Sequence, residues 1–167
     1  MQLSSALLSA TALLAQVASG FYLSSPDDPT PQPGYAEVIG DDVGFRKGNG
    51  TLASIQLDEE GDIEKSGFMF QAWVGASSYA LVPTASKTVG PNDLTKPFVI
   101  ENGEFVYKGE GEYQWFLAFD GDIAKIHLNI PRDAVPPPFF PGANIHFNIT
   151  LLAHERKQGG KVNETGV

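Results

Sequence analysis

The sequence predicts an all-β fold, an antiparallel β-sandwich or flattened barrel of about eight strands, preceded by a signal peptide and a Pro-rich leader. Three observations carry that prediction. From Tyr35 onward, short apolar runs alternate with turn signals at intervals of roughly 8–15 residues. Asn-Gly and Asp-Gly pairs stand between runs whose apolar residues alternate, which is the pattern of hairpins. Beyond the N-terminal segment, no window of about eleven residues carries the apolar repeat of a helix.

The N-terminal segment comes first. No charged side chain occurs before Asp27, and Leu7 to Ala15 form an apolar run. That run suits the core of a signal peptide and is too short to cross a bilayer of about 30 Å. Small side chains then gather at Ala18, Ser19 and Gly20, as signal peptidase requires, so cleavage is expected after Gly20, with Ser19 the alternative. Residues 1–20 are read as the signal peptide and 21–34 as the leader. Between Ser24 and Gly34 there are four prolines in eleven residues, which excludes a helix or a central strand.

The body of the domain is expected over residues 35–157, with 158–167 as a polar tail. The candidate strands are Tyr35–Ile39, Thr51–Leu57, Phe68–Val74, Tyr79–Pro83, Phe98–Glu101, Glu104–Tyr107, Tyr113–Phe119, Ala124–Asn129 and Ile145–Leu152. Asn102-Gly103 is the clearest turn, because both central residues of a type I′ hairpin need positive φ. Asp120-Gly121 repeats that logic. Alternation places Ile126 and Leu128 on one face of their strand and Lys125 and His127 on the other. Thr84–Lys96 reads as a long loop. Pro131–Pro141, with five prolines, reads as a crossing loop that packs Phe139 and Phe140 against the sheet.

Composition narrows the function. The chain carries 20 acidic and 11 basic residues, a formal charge of −9. Such a protein does not bind nucleic acid by neutralising phosphates and does not cling to anionic membranes. Cysteine is absent, which excludes thiol catalysis, thiolate metal sites and disulfide staples. The core must rely on apolar burial, for which 11 Phe, 5 Tyr and 2 Trp are available.

Three acceptor tripeptides for N-glycosylation agree with export: Asn49-Gly-Thr51, Asn148-Ile-Thr150 and Asn163-Glu-Thr165. Asn148 lies in a strand-like run and must point outward to be used. Trp73, Tyr79, Tyr107, Tyr113 and Trp115 form a possible sugar-stacking set if several face solvent together, and the same rings could instead fill the core. The clusters Asp41-Asp42, Asp58 to Glu64 and Asp120-Gly-Asp122 offer oxygen ligands but lack the spacing of a calcium loop. A glycosidase would need two carboxyl groups about 5–10 Å apart across a cleft, and spacing along the chain does not supply that. His127, His146 and His154 lack the zinc-protease pattern, and no Gly-x-Ser-x-Gly elbow occurs. No catalytic residue, metal ligand or cofactor is therefore assigned.

Phe98-Val-Ile-Glu-Asn-Gly-Glu-Phe-Val-Tyr-Lys-Gly109, continuing into Tyr113-Gln-Trp-Phe-Leu-Ala-Phe119, resembles small secreted fungal cell-wall proteins of the phialide-protein (PhiA-like) type. Gly67-Phe-Met-Phe-Gln-Ala72 matches an earlier strand of that pattern. The resemblance implies a non-enzymatic extracellular or wall role with no catalytic residue to carry over. The expected function is thus a secreted, non-catalytic glycoprotein of the cell surface, wall or extracellular space. The alternative is an extracellular carbohydrate-binding module or a weak carboxylate-based glycoside hydrolase. The expected partners are cell-wall polysaccharide or an extracellular protein, with no nucleic acid and no membrane.

Overall fold

The structure is a computed structural model, which describes residues 20–27, 34–46, 50–72, 77–85, 87–132 and 144–155. Twelve strands occur among them. They are β1 (Phe21–Ser24), β2 (Glu37–Ile39), β3 (Asp42–Phe45), β4 (Thr51–Leu52), β5 (Phe68–Ala72), β6 (Ser78–Pro83), β7 (Phe98–Glu101), β8 (Glu104–Tyr107), β9 (Gln114–Asp120), β10 (Ile123–Asn129), β11 (Ile145–Ile149) and β12 (Leu152–Glu155). Among the described residues the helical content is one 3-10 turn at Glu64–Ser66. All pairings are antiparallel.

The strands make a sandwich of two sheets. One has four strands in the order β1-β12-β8-β7, and the other has eight, with β11-β9-β10-β3-β2-β4 as its main path. The larger sheet forks at β10. Ala124 and Lys125 pair with Phe45 and Gly44 of β3, whereas His127 to Asn129 pair with Ala80 to Ser78 of β6. Gly44 permits the first branch, because a Cβ there would lie 2.4 Å from the Ala124 carbonyl oxygen. Strand β5 completes the second branch by pairing with β6.

The core is an aromatic layer between the sheets. Alternation along β7 and β8 turns Phe98, Phe105 and Tyr107 inward and leaves Glu101 and Glu104 outside. Phe98 and Phe105 stack at 5.2 Å, and Trp115 from the other sheet stacks on Phe105 at 5.5 Å. Phe70 closes the group, 5.1 Å from Phe98 and 5.4 Å from Trp115. Burying such rings stabilises by roughly 2–3 kcal/mol each from apolar area alone, which suits a fold without cysteine.

The structure departs from the sequence reading at five places, the first being Thr51–Leu57, expected as one strand but a strand only over Thr51–Leu52. Phe21–Ser24 was expected in the leader and is instead a buried strand, paired with β12 and bridged to Ile55. Four residues between an apolar N-terminal run and a proline run are too few to show a period. Strand β3 was missed because Gly44 interrupts its apolar pattern. The turn at Asp120-Gly121 sits one residue later: Asp120 pairs with Ile123, so Gly121-Asp122 forms the loop, with positive φ at the glycine alone. That is the type II′ pattern, and Gly40-Asp41 between β2 and β3 shares it. Finally, Ile145–Leu152 is two strands in different sheets. Asn102-Gly103 has the expected positive φ at both residues. Residues 1–19, the tail 158–167, and Phe139 and Phe140 lie outside the described residues.

Candidate functional site at the sheet corner

The break between β11 and β12 organises the most distinctive surface of the molecule. Strand β11 pairs with β9 as far as Phe147, the register then shifts, and Ile149 resumes opposite Trp115. The extra residue is Asn148, in the left-handed region with φ 55. Asparagine tolerates that conformation better than other non-glycine residues, so it can form the bulge that bends the chain. Only Thr150 and Leu151 separate the end of β11 from β12, where the chain enters the other sheet. A strand that changes sheets through a bulge is how sandwich corners are commonly built.

Side chains from three other segments fix this corner. The guanidinium of Arg132 donates to Asn148 Oδ1 at 3.1 Å. The backbone N–H of Thr150 donates to Asp27 Oδ2 at 2.8 Å. Further along β12, His154 Nε2 and Ser24 Oγ of β1 share a hydrogen bond of 2.6 Å. Tyr35 meets the His154 ring edge-on at 5.2 Å, and Tyr22 lies 5.7 Å from Tyr35. Ser24, Tyr35 and His154 are half-buried, and Asn148 is exposed. Ser24, Tyr35 and His154 are thus partly accessible beside one another, and the Asn148 amide is exposed at the bulge.

The sugar-stacking set is not assembled at the surface. Trp115 is only 4% exposed and Tyr107 8%, and both belong to the core. Trp115 Nε1–H donates to the Phe105 carbonyl at 3.1 Å inside that layer. Tyr113 and Tyr79 are half-buried against the same core. Burial raises the phenol pKa of Tyr107 and of Tyr113. The rings are drawn in because they pack with Phe98 and Phe105 in the aromatic layer between the sheets. Trp73 lies outside the described residues, as do Asn49 and Asn163.

Carboxylates that suggested metal or acid–base chemistry have structural partners. Asp58 Oδ1 accepts the backbone N–H groups of Asp62 and Glu60, and its carboxyl pKa is lowered first by the Asp62 bond. Asp93 binds the backbone N–H of Ala72 with one oxygen and that of Gly90 with the other. Asp42 and Asp120 each lie 3.1 Å from Lys125 Nζ. Desolvation lowers the Lys125 pKa, but the two hydrogen-bonded carboxylates outweigh it and leave it raised. The histidines are dispersed: His127 on β10 and His146 on β11 sit on opposite sides of β9, and His154 lies in the other sheet. Among the described residues no cluster of three or more His, Asp or Glu could hold a metal ion. No described helix is long and apolar enough to cross a membrane.

Comparison with protein families, with curated proteins and with solved structures finds no match for this chain. The corner and its surroundings were only partly legible in sequence. The acceptor tripeptide at Asn148 was visible, whereas the union of Asp27, Ser24 and Tyr35 with β12 depends on β1, which had no period to announce it.

Proposed function

We propose that this chain is an exported, glycosylated, non-catalytic β-sandwich that acts in the extracellular space or at a cell surface or wall. One observation carries the reading. The first described strand opens at Phe21, the residue that cleavage after Gly20 leaves first. Phe21 is 1% exposed, and its N–H donates to the Ile55 carbonyl at 2.8 Å. A strand packed from Phe21 onward is compatible with a mature chain that starts at that residue. The exposed acceptor Asn148 gives further support, as do the structural roles of the core rings and of Asp27, Asp58 and Asp93.

The test is N-terminal sequencing of protein recovered from the medium of expressing cells. The expected first residue is Phe21. Retention inside the cell, or a start at Met1, overturns the reading.

A second reading, a carbohydrate-binding surface, is favoured by the half-buried Tyr35 and His154 beside Ser24. A partly accessible phenol ring flanked by hydroxyl and imidazole groups suits a sugar ring. The check is a pull-down against chitin, glucan and mannan. Retention on one polymer, lost in Tyr35→Ala, is the expected result for this reading. Failure to bind any of them sinks it, together with direct attachment to wall polysaccharide.

A further inference from the structure

We infer that Asn148 carries an N-linked oligosaccharide whose role is to guard the open edge of the eight-stranded sheet. This rests on the export reading above and adds what the modification does. Strand β11 ends the path of that sheet, and among the described residues it pairs only with β9. Its sequence, Ile-His-Phe-Asn-Ile, has three apolar residues and no ionisable side chain other than His146. Phe147 is the large hydrophobic residue left exposed, at 44%, among the described residues. A strand of this kind, with no partner on its second edge among the described residues, is a template for pairing with a second chain.

Two devices meet at the next residue. The bulge bends the strand away from a straight partner. It also turns the Asn148 side chain outward, in a backbone conformation that asparagine accepts. Arg132 engages Oδ1 and leaves the amide nitrogen Nδ2 directed away from that bond. In the transfer, Nδ2 bonds to the anomeric carbon of a diphosphate-activated oligosaccharide. The carbon–oxygen bond to the diphosphate breaks, and Nδ2 loses one proton. The attached sugar then stands beside Phe147 and blocks a second β11 from approaching. The Thr150 hydroxyl is needed only for recognition, because its backbone N–H makes the bond to Asp27.

The test uses the full-length chain expressed for secretion. Peptide mass spectrometry should find the oligosaccharide on Asn148, and amidase release should convert that residue to Asp. Secreted protein glycosylated at Asn49 or Asn163 but not at Asn148 overturns this inference and leaves export standing. Protein that never leaves the cell overturns both. The guarding role is read from Thr150→Ala, which removes the acceptor without forcing another side chain into the left-handed conformation. The unglycosylated variant should form dimers or larger species at concentrations where the glycosylated protein stays monomeric. Adding Phe147→Lys should restore the monomer. Enzymatic release of the sugar from folded protein gives the same comparison if the variant is not recovered. A deglycosylated protein that remains monomeric overturns the guarding role.

Discussion

His127 sits on the face of β10 opposite the aromatic core, its ring stacked on Phe116 with centroids 4.9 Å apart. It is 2% exposed, and desolvation, with a smaller contribution from the Lys125 charge, lowers its pKa to about 3. The unfolded chain takes up a proton here below about pH 6.5, whereas the native ring stays neutral. Stability from this residue is therefore present above 6.5 and lost as pH falls toward 3. At about pH 4.5 the loss is roughly 2–3 kcal/mol. Denaturant titrations at neutral pH and near pH 4.5 should show that drop, and His127→Phe, which keeps the ring contact, should flatten it. An unchanged slope in the variant would assign acid sensitivity elsewhere. Trp115 supplies a second test at this scale. Trp115→Ala should cost about 3–5 kcal/mol in unfolding free energy, and Trp115→Phe less, about 1–2, since one ring stays in the layer while the bond to the Phe105 carbonyl and part of the buried volume are lost. Sequence placed Lys125 and His127 on one face correctly, because a strand's period is local. It could not show that this second face is also covered at His127, since burial depends on chain distant in sequence.

Hairpins were the most legible elements. Phe98–Glu101 and Glu104–Tyr107 have the expected ends because Asn102-Gly103 marks its turn type in two letters. The elements that were missed depend on distant partners: β1 leans on β12 and Ile55, and Gly44 in β3 is explained only by the close approach of Ala124. The same dependence makes Gly61 sensitive. Its φ is 73, a Cβ there would lie 2.2 Å from the Phe98 carbonyl oxygen, and its own carbonyl accepts the Phe98 N–H. Gly61→Ala should therefore lower the unfolding free energy by about 2 kcal/mol or more and loosen the loop from β7, detectable as faster amide exchange at Phe98. Gly103→Ala meets nothing within 4 Å, so it should lose only the positive-φ preference, about 1 kcal/mol.

At the scale of the molecule, the all-β class was legible because every segment carried the same strand-and-turn texture. The number of strands and the forked sheet were not, since both arise from pairings between remote segments. The corner was half legible: Asn148 belonged to a readable tripeptide, but its bulge required knowing that the chain changes sheets there. The buried start of β1 carries a consequence for biogenesis. Gly20 and Phe21 are both buried, and the Phe21 nitrogen is hydrogen-bonded. A protease therefore cannot engage the bond between them once the sheet has closed. If processing falls at that bond, it must precede folding, and the new α-ammonium then takes the place of the amide at the Ile55 carbonyl. On the export reading, maturation would then have a fixed order, because a molecule that folded before it was cut would keep the residues before Phe21.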